Sequence, residues 1–298
     1  MMTFPPICDY EGSNYRQRFW EGQGREYEDL SERVALRRLM PGSGSVLIEI
    51  GAGFGRLASE YRGYKKVVLF DYSRSLLREA QARLGNDPRF IYVAGNWYDM
   101  PFVDGLFDTL VQIRSLHHTA EPATLFDQLA RIGRPGGNYV LEFANKKNLK
   151  AILRYALRRQ SWSPFETDPV EFTHLHYDFH PAWVRERLRN AGFTTGQSLS
   201  VSYFRVPFLK RYVPTPWLVG IDSLMQHTGQ LWQLSPSVFM HNHVPSNGRP
   251  APAGQFFACP KCATPLEDEG HSSLSCGGCG LKWAVEDGLY DFKTPIPV

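Results

Sequence analysis

Four of the chain's five cysteines stand as two close pairs, Cys259 with Cys262 and Cys276 with Cys279. Thiolates at this spacing wrap one Zn²⁺ tetrahedrally, and the glycines around the second pair let backbone amides turn toward sulfur. The pattern predicts a closed, structural zinc site. A redox dithiol is the alternative, but the surroundings of a thioredoxin-like motif are missing. Cys8 is left over as an unpaired thiol. A second chemical group lies in VLIEIGAGFGRLA, where Gly51, Gly53 and Gly55 follow an apolar run and precede a helical pattern. A tight strand-to-helix turn needs positive φ, and a ligand lying against backbone leaves no room for a Cβ. Such triplets also occur in turns without ligands, so their neighbours decide. Asp71 closes the next apolar run, close to the ~20 residues at which an acid accepts hydrogen bonds from ribose hydroxyls. A strand-end aspartate can also be a simple cap. Glu49 sits inside the apolar run before the glycines, where a carboxylate needs a partner, and an amine-bearing ligand supplies one.

Histidines form the third group. Arg114, Ser115, His117 and His118 follow the fourth apolar run and fall at the carboxyl edge of the strands, where open sheets bind ligands. His118 is the candidate general base, since a histidine near its ordinary pKa of ~6.5 accepts a proton at neutral pH. A hydrogen-bonded structural histidine is the competing reading. His174, His176, Tyr177 and His180 make a further polar and aromatic cluster, suited to lining an acceptor pocket. They lack the i, i+4 pair and helical carboxylate of a metal site.

The elements that must hold these groups alternate. Apolar runs at 46–50, 67–70, 90–93, 109–113 and 139–143 read as buried strands. Segments 56–62, 74–84 and 124–132 carry apolar residues at helical spacing, Leu76, Leu77, Ala80 and Leu84 most clearly. The alternation predicts an α/β fold: a Rossmann-like, mostly parallel sheet with helices on both faces. A further helix is expected over 181–191, with Gly192 at its end and more sheet beyond. Residues 203–240, rich in aromatics and prolines without one period, read as a cover on the substrate side. The stretch 241–255 has linker composition. The expected organisation is a ligand-binding domain over 1–240, a linker over 241–255 and a small zinc-ribbon module over 256–298. That module is too short to hold a core unaided, so zinc binding of roughly 10–16 kcal/mol supplies much of its folding energy.

The stretch 46–143 resembles the class I S-adenosylmethionine-dependent methyltransferases. The shared features are E-x-G-x-G-x-G, a strand-end aspartate, a segment like G-D-x-x-x-L-P-F, and a strand ending near L-H-H. The resemblance implies that Gly51, Gly53 and Gly55 take the amino-acid end of S-adenosylmethionine, with Glu49 counted among the cofactor residues beside them, and that Asp71 holds the ribose. Tyr72, Asn96 and Trp97 then flank adenine, and Arg114 is counted with the cofactor residues. AGNWYDMPF departs from the family by carrying Asn96 in place of the usual aspartate, although an amide carbonyl still accepts from the adenine amino group. Nicotinamide enzymes use a related loop, but their third glycine comes one position later. Tyr27 lies in a segment resembling the helix that such enzymes fold over the cofactor, and a core aromatic is the alternative. The last forty or so residues resemble the small zinc-ribbon subunit that activates several tRNA, rRNA and translation-factor methyltransferases, which implies stabilisation of the catalytic part.

Methyl transfer asks the protein mainly for alignment and a water-poor cavity. A base is needed only for an acceptor that carries a proton. No Asn-Pro-Pro-Tyr-like segment follows the fourth strand, which argues against amino groups of nucleic-acid bases, and no cysteine serves a carbon-5 pyrimidine reaction. Oxygen, ordinary nitrogen and activated carbon acceptors remain. A net charge of +3 is too small to demand nucleic acid. The stretch 146–159 is basic and amphipathic, which suits RNA phosphates, an anionic membrane or a solvated face. The expectation is a cytoplasmic methyltransferase acting on a small molecule, without a transmembrane segment. RNA or protein acceptors, and a cofactor-binding protein without catalysis, are the alternatives.

Overall fold

The computed structural model describes residues 5–266 and 272–296; parts of the expected ribbon, 267–271 and 297–298, lie outside them. The chain runs α1 (Tyr15–Phe19), α2 (Glu26–Leu39), β1 (Gly44–Ile50), β2 (Tyr64–Asp71), α3 (Arg74–Leu84), β3 (Phe90–Ala94), β4 (Phe107–Gln112), α4 (Pro122–Ile132) and β5 (Gly133–Ala144). It continues with α5 (Leu149–Ala156), β6 (Val170–Thr173), β7 (His176–Asp178), α6 (Pro181–Asn190), β8 (Thr194–Val201), α7 (Pro207–Tyr212), α8 (Thr215–Met225) and β9 (Ser237–His243). β10 (Ser273–Ser275), β11 (Lys282–Glu286) and β12 (Leu289–Ile296) close it. Among the described residues no helix is long and apolar enough to cross a membrane.

The main sheet has the order β10-β11-β12-β3-β2-β1-β4-β5-β9-β8. Neighbours from β12 through β5 are parallel, while β9 runs antiparallel to both β5 and β8. The chain steps outward from β1 to β3, then returns to the other side of β1 with β4. That reversal opens a crevice beyond the carboxyl ends of β1 and β4, the place where open α/β sheets take ligands.

The continuous apolar runs form central strands because both faces are covered. Leu47, Val67 and Leu69 pack with Leu36 of α2 and with Leu77 and Ala80 of α3. Ile48, Val68 and Phe70 face the other layer, with Phe126 and Leu129 of α4 and Leu188 of α6. α3 starts where Ser73 Oγ accepts from Leu76 N at 3.2 Å, and it ends at Gly85, whose φ of +66° only glycine adopts freely.

Three regions differ from the sequence expectation. The segment 56–62 makes one 3₁₀ turn, Ala58–Glu60. Leu57, Ala58 and Tyr61 are pulled into the core and β2 already begins at Tyr64, so no room is left for a crossover helix. The stretch 203–240 supplies α7 and α8, but its last residues enter β9, a strand lying between β5 and β8 that runs on to His243. The basic face of 146–159 is also interrupted, because Lys146 is 2% exposed and its Nζ donates to Asp168 O at 2.6 Å.

The cysteine-bearing segment does not hang from a tether. β12 pairs in parallel with β3, Leu289 opposite Tyr92 and Asp291 opposite Ala94, so the main sheet continues through it. Phe257, Trp283 and Phe292 join the same core as Phe70 and Phe102. Losing one aromatic of this kind from a core costs about 3–5 kcal/mol.

Candidate functional site

The turn after β1 is fixed by its own backbone. Gly51 and Ala52 amides donate to Phe70 O at 2.9 and 3.1 Å, and Gly53 N donates to Asp71 Oδ2 at 2.7 Å. Gly51, Gly53 and Gly55 all have left-handed φ, +73°, +52° and +69°. Their surroundings differ. A Cβ on Gly51 would lie 2.5 Å from the Cβ of Ser115, whose hydroxyl donates to Ile50 O at 2.9 Å and ties the end of β4 to the turn. A Cβ on Gly53 would meet only Leu76, at 3.9 Å.

Asp71 is held in place from two sides, by Gly53 N and by Ser73 N at 2.8 Å. Burial pushes its carboxyl up, and these amides act the other way. Each carboxylate oxygen keeps a second lone pair for an outside donor. Glu49 is buried at 3% exposure, and burial lifts its carboxyl to about 7 although the Tyr61 hydroxyl and the Arg56 and Arg33 charges act the other way. Its Oε2 has no hydrogen-bond partner among the described residues. A buried, unpaired carboxylate oxygen beside three turned glycines suits an ammonium or another strong donor.

These groups share one cleft that is open to solvent. Glu49, Gly51, Gly53, Asp71, Tyr72, Trp97, Arg114 and His118 line it, so most of the predicted residues come together. Gly55 instead packs toward Leu69 and Ala80, and Asn96 uses its Oδ1 to accept from Tyr98 N at 2.9 Å in the following turn. Trp97 turns toward the cleft, its indole Nε1 without a partner among the described residues. Tyr27 takes the core reading: its hydroxyl donates to Asp222 Oδ1 at 2.8 Å and accepts from Phe204 N at 3.0 Å, away from the cleft.

The opposite wall is assembled from distant parts. Arg114, at φ +56°, donates its amide to Glu142 Oε2 at 2.8 Å and its Nε to Glu32 Oε1 at 2.7 Å. Arg56 Nη2 meets Glu32 Oε2 at 2.9 Å, and Arg205 Nη2 lies 3.6 Å from the same carboxylate. Burial alone would raise Glu32, but Arg114 and Arg56 hold it down at about 2. The guanidinium groups of Arg56 and Arg114 lie 4.0 and 5.1 Å from the ring centre of Trp20. Ile7, Cys8, Tyr10 and Tyr15 complete this side of the cleft. The sequence reading missed Glu32 and this N-terminal group. The available signal was the density of aromatics before α2.

His118 accepts or donates at Nε2 with Tyr10 Oη, 3.3 Å away, and its Nδ1 lies 3.3 Å from Leu175 O. Because a carbonyl only accepts, the Nδ1 side carries the proton and Nε2 is the lone-pair side. Burial, with His176 nearby, lowers its pKa to about 4. This corrects the sequence expectation of an ordinary imidazole: His118 is uncharged through the neutral range and a weaker base. His176 stands 4.5 Å away, ring centre to ring centre, whereas His180 caps α6 by accepting from Ala182 N at 3.2 Å.

The four cysteines meet at the sheet's far end. Their sulfurs all lie within 4.8 Å of one another, with Cys259 to Cys279 at 3.7 Å and Cys262 to Cys276 at 3.3 Å. A disulfide needs about 2.05 Å, whereas a tetrahedron of 2.3 Å Zn–S bonds sets sulfurs roughly 3.8 Å apart. Gly278 lets the second knuckle close, since a Cβ there would sit 2.3 Å from Thr264 Oγ1 and 3.3 Å from Cys262 Sγ. The donor set fits Zn²⁺. β12 also reaches the cleft wall, where Lys293 Nζ lies 4.0 Å from the centre of the Tyr72 ring and Asp291 pairs with Arg74 at 3.0 Å.

Comparison with known proteins agrees with this geometry. Residues 48–141 match the family model described as a methyltransferase domain. Demethylmenaquinone methyltransferase of Clavibacter sepedonicus is 32% identical over 111 residues, 37% of this chain and 45% of that protein. The 27-O-demethylrifamycin SV methyltransferase of Amycolatopsis mediterranei is 27% identical over 141 residues, 44% of this chain and 51% of that protein. The chain thus spans about half the length of the curated relatives it matches. A chain from the complex between the Haloferax volcanii Trm112 methyltransferase activator and a methyltransferase shares the fold, with TM-score 0.54 and 17% identity, covering 80% of this chain and 100% of that one. The parallel sheet and the glycine turn at the β1/β4 crevice accord with the match of residues 48–141 to a methyltransferase domain.

Proposed function

We propose that the chain transfers a methyl group from S-adenosylmethionine to an oxygen, nitrogen or activated carbon of a small-molecule acceptor. The observation that carries this reading is the unpaired Oε2 of buried Glu49 beside the left-handed glycine turn and Asp71. When bound, S-adenosylmethionine supplies a methyl group on a positively charged sulfur, open to in-line displacement. Gly51 and Gly53 with Glu49 hold the amino-acid end, Asp71 the ribose, and Tyr72 and Trp97 the base. Asn96 contributes from the turn behind Trp97, Gly55 seats α3 under the loop, and Arg114 walls the side facing the acceptor. Tyr10, Tyr15 and Trp20 exclude water from that side.

His118 Nε2 is the atom proposed to take a proton from the acceptor. Its low basicity suits acceptors whose proton is already acidic, because a weak base gains little from a strongly held one. Zn²⁺ on Cys259, Cys262, Cys276 and Cys279 ties two turns together and contributes no chemistry at the cleft. In the division we propose, a catalytic part over 1–240 is followed by a linker over 241–255 and a ribbon over 256–298. One sheet continues across that division, and the ribbon braces Tyr72 through Lys293. The likeness to a methyltransferase complexed with an activator supports a bracing role of this kind.

The test is incubation with methyl-labelled cofactor and an extract fractionated into small molecules, RNA and protein. Label in the small-molecule fraction is expected, and His118→Gln should lower that transfer on the order of 10²–10⁴-fold with cofactor binding unchanged. Label confined to RNA or protein moves the acceptor to that class. No label in any fraction, from a chain that binds the cofactor, overturns catalysis altogether.

A further inference from the structure

Helix α5 turns its hydrophobic stripe outward. Leu149, Leu153 and Leu157 recur every fourth residue and are 50%, 54% and 63% exposed, whereas Ala151 is the buried residue of the helix. Lys150 and Arg154 keep the same spacing one position on, and Arg158 follows just past the helix end at φ +56°, so cations lie beside the leucines. A helix on a globular protein ordinarily lays its apolar stripe on the core. Here that stripe and its cations share the solvent side.

The surface extends beyond the helix. The ring of Tyr155 lies 6.3 Å from that of Phe165, itself 55% exposed. At the other end, Leu149 N donates to Leu234 O at 2.8 Å, close in sequence to Leu231 and Trp232, which are 81% and 56% exposed. Exposed Phe172 stands 6.0 Å from His176, and His176 stands 4.5 Å from His118. An exposed aromatic ring thus also stands near His118, which lines the cleft.

We propose that this face docks on an anionic membrane surface and that the acceptor enters the cleft from the bilayer. The second clause rests on the methyl-transfer reading; docking stands without it. Leucines and aromatics in one plane seat at the boundary of headgroups and acyl chains, while a flanking row of lysine and arginine meets lipid phosphates. RNA would engage the cations and leave Leu153 and Leu157 in water. A protein partner would need an acidic rim to match Lys150, Arg154 and Arg158, and nothing in the patch besides charge and apolarity points to one.

The zinc-loaded full chain is sedimented with phosphatidylcholine vesicles containing phosphatidylglycerol, and with phosphatidylcholine vesicles alone. Binding to the anionic vesicles, and at least about tenfold less to the neutral ones, is expected. Each cation near an anionic surface is worth roughly a fivefold factor in partition, so K150E/R154E/R158E, which removes three and adds repulsion, should lower it by at least about a hundredfold. Leu153→Ser with Leu157→Ser should weaken partition while cofactor binding, followed by calorimetry, stays unchanged and reports an intact fold. Failure to sediment with anionic vesicles overturns the proposal, as does indifference to the triple charge reversal. A chain that ignores vesicles but binds bulk RNA through the same cations assigns the face to nucleic acid instead. Because partition is read without cofactor or acceptor, its failure is distinct from a failure of methyl transfer.

Discussion

On one wall of the cleft the ligand-facing groups come from a short stretch of chain, Glu49 to Tyr72, and most of the work falls to backbone amides and missing side chains. On the other wall they come from Tyr10, Trp20, Arg114 and His118, gathered from separate elements, with Arg114 held by an ion pair to buried Glu32. The first wall depends on conformation, which a local motif encodes. The second depends on charge compensation, which only the tertiary fold assembles. The two should therefore fail in different ways.

The largest effect is expected on the acceptor wall. Glu32→Gln leaves Arg114 in a buried setting without its carboxylate and Arg56 with Asp29 alone, and removing one partner of such a cluster costs about 3–5 kcal/mol. Chemical denaturation should show that loss of stability. A change under 1 kcal/mol would mean that the cluster behaves as a surface ion pair.

Next comes the cofactor wall. Gly51→Val combines an unfavourable φ with a clash against Ser115, so it should destabilise by about 2–4 kcal/mol and abolish cofactor binding. Gly53→Ala shares the φ but meets open space, so about 1–2 kcal/mol is expected. Equal effects would show that φ alone, and not the approach to Ser115, governs the turn.

A smaller effect separates the walls by pH. Burial lifts Glu49 to about 7, so it is protonated below that value and ionised above it. A ligand ammonium needs the ionised form. Affinity for S-adenosylmethionine should therefore rise with pH by up to about tenfold per unit below 7 and level off above it. Glu49→Gln should flatten the profile. His118, already neutral above about 4, should leave it unaltered. A profile that instead steps near 4, or that survives Glu49→Gln, removes Glu49 from the site. Smallest of all, Lys293→Met takes the ammonium off Tyr72, and a loss of under about 1 kcal/mol in cofactor affinity is expected from calorimetry.

The contrast also explains what the sequence made legible. The strands at 46–50, 67–70 and 90–93 and the helix over 74–84 fall within or on β1, β2, β3 and α3, because runs covered on both faces and a single apolar stripe leave unambiguous periods. The glycine turn and Asp71 were readable because a conformational demand restricts residue type at fixed spacing. Segment 56–62 misled because Leu57, Ala58 and Tyr61 mimic helical spacing while serving a compact turn. Nothing local announces that Glu32 will meet Arg114, since that pairing depends on α2 crossing the end of β4. The lowered basicity of His118 is likewise set by burial, which composition does not reveal. The cysteine spacing foretold a four-cysteine cluster but not that β12 would extend the sheet beside β3, a pairing between strands far apart in the chain.

The central claim is that the left-handed turn at residues 51–55, with Glu49 and Asp71, grips a sulfonium nucleoside. Titration calorimetry of the zinc-loaded full chain tests it directly. The account predicts a saturable isotherm with S-adenosylmethionine, lost in Gly51→Val, and no heat with NAD. A chain silent toward S-adenosylmethionine that gives a clear isotherm with NAD would contradict it.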